Sequence, residues 1–332
     1  MARPFSGATG QVGSVIGNVI SGWIFGADTP EVRDIQLLVN GRKLIPAEVF
    51  ISPGGGPPNR WQFDIYLSDP VAVGDIISIS MKMCRVSRGL AGSPWVVRDA
   101  PKTNFEYAFL HVPKTAGTSL RLSLEKALGA SAVFPSQGYL TSRGAGYPSY
   151  AEYKALSYGL GDELRLIQGH LGLDEIKELA PRARVIAVFR EPIERVLSLI
   201  KHRLASLGDQ DASEKDIADR FLVRGDGGFS NGQVRALIGK LDLGEGVEQA
   251  AELATAKLTD IDFLGTSENY AGLLEQLSEV IGASMRNDRL NTTRMPDRQF
   301  SEAFVERVRE LNQLDISFYK NVSREVSMRA AH

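Results

Sequence analysis

Between His111 and Leu120 the chain reads His-Val-Pro-Lys-Thr-Ala-Gly-Thr-Ser-Leu, which brings a lysine, a glycine and three hydroxyl side chains close together. The apolar run Phe105–Val112 precedes it, and Leu120, Leu124, Ala127 and Leu128 follow at the spacing of one helical face. A strand therefore delivers the chain to a short polar turn, and a helix begins near Gly117. The first turn of a helix leaves backbone N–H groups unpaired and carries the positive end of the dipole, so it attracts an anion. Gly117 permits close backbone approach, Thr118 and Ser119 add hydroxyl donors, and Lys114 puts a full charge at the mouth of the loop. Pro113, Thr115 and Ala116 complete it. A Walker A loop carries its lysine directly after the second glycine; here Lys114 precedes Gly117, so the charge sits in the loop and not at the helix start. The bland alternative is an ordinary helix start with a solvated lysine.

Val188-Phe-Arg-Glu-Pro-Ile-Glu-Arg-Val-Leu-Ser198 repeats the layout of strand end, polar turn and helix. Pro192 suits the first helical turn, where its missing N–H costs nothing. Arg190, at the strand terminus, has the forked donors that match a phosphate, and Ser198 lies two turns along the helix. Arg195 is expected to pair with Glu191, four residues earlier. Read alone, these are surface charges on an amphipathic helix. Read with the first loop, they give two anion sites in one sheet, which suits a ligand with two separated phosphate groups.

At these two motifs the chain resembles the sulfotransferases that use 3′-phosphoadenosine 5′-phosphosulfate (PAPS). HVPKTAGTSL is similar to that family's 5′-phosphosulfate loop and FREPIERVLSL to its 3′-phosphate motif. The likeness is strongest to the carbohydrate branch that contains the heparan 2-O-sulfotransferases and related bacterial enzymes, and it spans roughly residues 104–325. Gln168-Gly-His170-Leu, Phe229-Ser-Asn231-Gly-Gln233, Phe263-Leu-Gly-Thr-Ser-Glu268-Asn269 and Leu290-Asn291-Thr-Thr follow in the family's order. The resemblance implies that Pro113, Lys114, Thr115, Ala116, Gly117, Thr118 and Ser119 hold the 5′-phosphosulfate, and that Arg190 and Ser198 hold the 3′-phosphate. Adenosine 3′,5′-bisphosphate would be the product, no metal is expected, and the acceptor would be a glycan or another hydroxyl-bearing molecule.

An attacking hydroxyl needs a general base, and histidine is the usual one near neutral pH. The chain has His111, His170, His202 and His332. His111 reads as structural beside the loop, and His202 as a surface or packed residue of the helix after Arg190. His170 follows a strand at Leu164–Gln168 and is similar to the histidine that the 2-O-sulfotransferase branch uses as base; a structural or substrate-orienting role is the alternative. Glu268 is the reserve base. Asn231, Gln233 and Arg235 form a polar group that contacts acceptor or cofactor, or else belongs to an ordinary loop. Two other functions stay open: a P-loop-like nucleotide kinase or NTPase, and a non-catalytic glycan-binding protein on a degenerate sulfotransferase fold.

The elements that position these residues change character near residue 100. Before it, Asn18–Phe25, Ile35–Val39, Leu44–Ile51, Trp61–Leu67 and Ile76–Met83 read as short strands, with Asn40-Gly41 as a hairpin turn. Ser52–Asn59 reads as a loop and Ser87–Asn104 as a linker. After it, strands at Arg184–Phe189 and Phe263–Thr266 and helices at Leu273–Ile281 and Glu302–Leu314 continue the strand–loop–helix series. The stretch from Phe134 to Asp162, rich in Tyr, Ser and Gly, reads as a long loop of the kind that covers a site, with Tyr139, Tyr147 and Tyr150 either stacking on a sugar or simply anchoring the loop. The expected fold is α/β: a P-loop-like parallel sheet flanked by helices over 99–332, preceded by a small all-β, sandwich-like domain over 1–98.

Composition sets the remaining bounds. With 43% hydrophobic and 23% charged residues and a net charge of −2, the 332-residue chain is an ordinary globular one with no global attraction to nucleic acid. Cys84 is the single cysteine, which excludes an internal disulfide and a thiolate zinc site. No run is apolar for long enough to span a membrane. The first twenty residues lack a secretory leader's compact apolar stretch, so a cytoplasmic location is expected. Nothing in the sequence sets the oligomeric state.

Overall fold

The computed structural model describes residues 9–16, 19–25, 35–53, 60–83, 86–90, 93–97, 102–143, 146–157, 160–223, 228–239, 249–285 and 298–330. They fall into two compact units, Met1–Asn104 with Pro135–Leu164, and Phe105–Phe134 with Arg165–His332.

The first unit holds strands β1 (Thr9–Ile16), β2 (Val19–Phe25), β3 (Ile35–Val39), β4 (Arg42–Leu44), β5 (Glu48–Pro53), β6 (Arg60–Tyr66), β7 (Ile76–Met83), β8 (Val86–Gly89) and β9 (Trp95–Val96). They form two antiparallel sheets, ordered β1-β2-β6-β5 and β4-β3-β7-β8, with β9 also on β7. Alternate residues from both sheets, among them Ile20, Ile24, Phe63 and Ile65 from one and Leu37, Ile77 and Ile79 from the other, share one buried cluster. The hairpin expected at Asn40-Gly41 is present: both residues have positive φ, and Val39 pairs with Arg42 across it.

Several expectations in this unit need correction. The strand read over Leu44–Ile51 is two strands, β4 and β5. Ser87–Asn104 is not a plain linker, because β8 and β9 pair with β7 there. The loop read at Ser52–Asn59 lies mostly outside the described residues, though Ser52 and Pro53 end β5. The stretch after Phe134 is no bare loop either: it contains helices α2 (Gln137–Arg143) and α3 (Tyr150–Ser157), and α3 packs on β1. Tyr139 is buried there and so is not available for stacking on a sugar.

The second unit is α/β, as expected. Its five-stranded parallel sheet has β11 (Val133–Phe134), β12 (Leu166–Gly169), β10 (Tyr107–Leu110), β13 (Arg184–Phe189) and β14 (Phe263–Thr266) in that order. Side chains alternate across it. Tyr107, Phe109, Ile186 and Val188 cluster with Leu120 and Leu124 of α1 (Gly117–Leu128) and with Leu273, Leu274 and Leu277 of α9 (Tyr270–Ile281). On the opposite face Phe189 meets Phe318 edge-on at 5.2 Å. Phe318 belongs to α11 (Gln313–Ala330), which packs with α5 (Pro192–Leu207), α7 (Gly232–Ile238) and α8 (Ala250–Ala256). The single closing helix expected at Glu302–Leu314 is two, α10 (Glu302–Glu310) and then α11. The connections from β10 go first to β11 and β12 on one side, then to β13 and β14 on the other. The strand order thus reverses at β10, the position where open α/β sheets bind ligands beyond the carboxyl ends of their strands.

Candidate functional site

Register determines which residues meet at that edge. Leu110, the last residue of β10, pairs with Gly169 on one side and Ala187 on the other. His111 and His170 follow Leu110 and Gly169 directly, and the His111 N–H donates to the Gly169 carbonyl at 3.0 Å. Their rings consequently meet edge to face, with centroids 4.7 Å apart, while His111 stacks on Phe109 at 5.3 Å. β13 runs two residues further, to Phe189, and its last rung is the Ser267 N–H to the Phe189 carbonyl. Arg190 and Glu268 therefore leave the sheet beyond the histidines, on its other side.

The loop from β10 to α1 is shaped by Lys114 and Ala116, both at positive φ (70° and 68°), a conformation that L residues rarely take. Ala116 is the N-cap of α1 and provides no side-chain cap, so the first-turn N–H groups are left for another acceptor. Thr115 is buried and its hydroxyl donates to the Val112 carbonyl at 2.9 Å, bracing the turn from inside. Pro113, Lys114 and Thr118 are half-buried, Ala116 is exposed, and Gly117 and Ser119 are buried. Gly117 answers a need nearer than any ligand. A Cβ there would lie 2.1 Å from Cδ2 and 2.2 Å from Nε2 of His111, so the glycine makes room for the histidine ring.

The second half-site touches the first. Arg190 Nη1 lies 3.5 Å from the Lys114 carbonyl oxygen, and Arg190 Nη2 pairs with Glu194 at 3.1 Å. The i,i+4 pair on this helix is thus Arg190–Glu194 and not the expected Glu191–Arg195. Glu191 instead caps α5, accepting the Glu194 N–H at 2.7 Å. Arg195 is wholly buried, with Nη2 3.7 Å from Asp315 and donating to the Gly228 carbonyl at 2.9 Å. Burial pushes the Asp315 carboxyl up and the Arg195 guanidinium down; each one's charge opposes the shift of the other. Ser198, half-buried, lies on α5 two turns from Arg190.

The Asn231, Gln233 and Arg235 group resolves differently for each member. Gln233 is fully buried; its Oε1 accepts the Arg190 N–H and its Nε2 donates to the Arg190 carbonyl, each at 2.9 Å. Asn231 Oδ1 accepts the Asp315 N–H at 3.2 Å, and its own N–H donates to Asn312 Oδ1 at 2.9 Å. Both side chains thus hydrogen-bond backbone groups within the fold. Arg235 is half-buried on α7.

The electrostatics are cationic. Burial lowers the Lys114 ammonium, and the neighbouring Arg190 lowers it further. His111 is held well below the ordinary imidazole range by burial, then by His170, Arg121 and Lys114. His170 keeps an exposed surface, and partial desolvation, then the Arg203 charge, push its imidazole down to about 4. His202, read from sequence as a surface or packed residue, is exposed on α5 and is lowered by burial and then by Lys114 and Arg203. Glu268 is pushed up by burial, but hydrogen bonds from Tyr319 at 2.5 Å and Ser267 at 3.0 Å outweigh that and leave it below the usual carboxylate range. A carboxylate so held is a poor base.

No known family profile matches the chain, and no curated protein matches it. No helix among the described residues is long and apolar enough to cross a membrane.

The histidine pair makes a pH prediction. His111 is lowered in the folded chain and ordinary when unfolded, so the unfolded chain binds more protons below about pH 6.5. Stability should therefore fall as pH drops from 7 to 5, measured as denaturation midpoints, and His111→Phe should make that limb shallower, leaving the part that His170, lowered in the same sense, contributes. Gly117→Ala should lower the midpoint at both pH values, because the methyl group displaces the ring.

Proposed function

We propose that the chain is a PAPS-dependent sulfotransferase that delivers a sulfuryl group to a hydroxyl acceptor, with carbohydrate as the acceptor class. The observation that carries this reading is the contact between two anion half-sites, Arg190 Nη1 at 3.5 Å from the Lys114 carbonyl oxygen, at the point where the strand order reverses. A nucleotide with phosphates at both its 5′ and 3′ positions presents charge to both half-sites at once. The sequence likeness to the family's two phosphate motifs supports the same assignment.

The residues present fit such a donor. The uncapped first turn of α1 and the Lys114 ammonium, which burial leaves under-compensated, would hold the 5′-phosphosulfate; Arg190 and Ser198 would hold the 3′-phosphate. When bound, the donor supplies an activated sulfuryl group, whose S–O bond to the 5′-phosphate breaks as a new S–O bond forms to the acceptor oxygen. Lys114 neutralises charge on the departing phosphate oxygen, a stabilisation of the kind whose removal costs about 10²–10³-fold in rate. His170 takes the hydroxyl proton. With a pKa of about 4 in the free protein it is neutral at pH 7, and negative charge bound beside it raises its basicity.

Adenosine 3′,5′-bisphosphate should raise the thermal midpoint, while Mg·ATP at equal concentration leaves it unchanged, since only a ligand of the native state stabilises it. A shift with Mg·ATP alone would overturn the reading in favour of a nucleotide kinase. Lys114→Ala should reduce turnover by about 10²–10³-fold with a smaller loss of bisphosphate affinity.

The base assignment is tested by pH. The acid limb of kcat/KM, which reports the free protein, should lie near pH 4, and that of kcat should lie higher. His170→Ala should reduce turnover by about 10²–10⁴-fold with bisphosphate binding intact. Turnover at the wild-type rate would pass the role to another residue.

A further inference from the structure

Arg190 is the first residue beyond the hydrogen-bonded part of β13, and among the described residues its backbone has no strand partner there. The last ladder bond on that side runs from the Ser267 N–H to the Phe189 carbonyl. A single planar amide takes the place of a strand: Gln233 accepts the Arg190 N–H and donates to the Arg190 carbonyl, both at 2.9 Å. Reversing that amide would set oxygen against oxygen and N–H against N–H, so only one orientation satisfies both bonds.

Gln233 is itself tightly held. Its N–H donates to the Asp315 carboxylate at 3.1 and 3.2 Å, and the Val234 N–H donates to the same carboxylate at 2.8 Å. Asp315 thereby caps α7, where the N-cap residue Asn231 does not. Asn231 instead accepts the Asp315 N–H, and the Arg195 guanidinium lies 3.7 Å from the carboxylate on a further side. Gly232 eases this packing, because a Cβ there would stand 3.0 Å from Arg195 Nη2, a tight contact. A continuous buried polar chain thus runs from α11 through α7 to the peptide groups that flank the Arg190 Cα. Such networks favour one arrangement to the extent that their members are satisfied; here the Gln233 amide and the Asp315 carboxylate are bonded, while Arg195 Nε and Nη1 have no hydrogen-bond partner among the described residues.

We infer that Gln233 is a positioning residue for Arg190: it fixes the backbone from which the guanidinium reaches towards the Lys114 loop, and so sets the affinity of the site for the second phosphate of its ligand. The inference rests on the proposed donor reading. Its consequence is selective, because the Lys114 loop and the α1 N-terminus are held by other bonds, the Thr115–Val112 contact among them. Loss of the clamp should weaken the grip on a 3′-phosphate and leave the 5′ end unaffected.

The test compares two variants with opposite chemistry. Gln233→Met keeps the length and loses the amide; Gln233→Asn keeps the amide and loses the reach. Calorimetric titrations would measure the affinity of each for adenosine 3′,5′-bisphosphate and for adenosine 5′-monophosphate. We expect the bisphosphate to bind about 5–20-fold more weakly to both variants, as two buried hydrogen bonds imply, and the monophosphate to change less than about twofold. Should the Met variant fail to fold, the Asn variant carries the same comparison. Equal weakening of both nucleotides, or of neither, would overturn the positioning role. A wild-type protein without preference for the bisphosphate would instead remove the donor reading, and this inference with it.

Discussion

Leu110 pairs with Gly169 on one side and Ala187 on the other, and both partners run parallel to it. Three strands therefore release their chains at one edge, in a stagger set by hydrogen bonds. From that register follow the meeting of His111 with His170, the entry into the Lys114 turn, and the position of Arg190 beyond them. The apolar layers reinforce it. Because side chains alternate with period two, a slip of one residue would exchange the face that packs on α1 and α9 with the face that packs on α11.

Charge at this edge is assembled against resistance from the fold. Lys114 and Arg190 are brought together although each disfavours the other, and His111 is kept neutral by burial between Phe109, Gly117 and His170. Glu194 offsets part of the Arg190 charge from an exposed position, where an ion pair contributes little, about 0.2–1 kcal/mol. An anion with more than one charged group would offset this like-charge repulsion at both residues. That imbalance is the physical basis of the proposed donor specificity.

Much of this was legible in the sequence because it is local. The span of α1, that of β13 and the positive-φ hairpin at Asn40-Gly41 follow from periodicity and turn chemistry within a few residues. What escaped was long-range. Gln233 lies 43 residues from Arg190 and 82 from Asp315, and nothing in their spacing announces that they bond. β8 and β9 hide in a Gly- and Pro-rich stretch because they are short edge pairings on β7, and α2 and α3 hide in a run whose Gly and Ser content suggests a loop. Gly117 was legible as a close-approach glycine, but the neighbour that needs it is His111, which only the register brings there.

The central claim is that the two half-sites serve one donor with phosphates at both ends. Incubation with PAPS and a panel of glycans, following adenosine 3′,5′-bisphosphate by chromatography and acceptor mass by mass spectrometry, tests it most directly. The account predicts one bisphosphate released for each sulfuryl group gained by an acceptor, with both signals lost together in Arg190→Ala. Intact PAPS with every acceptor, alongside steady hydrolysis of Mg·ATP by the same preparation, would contradict it.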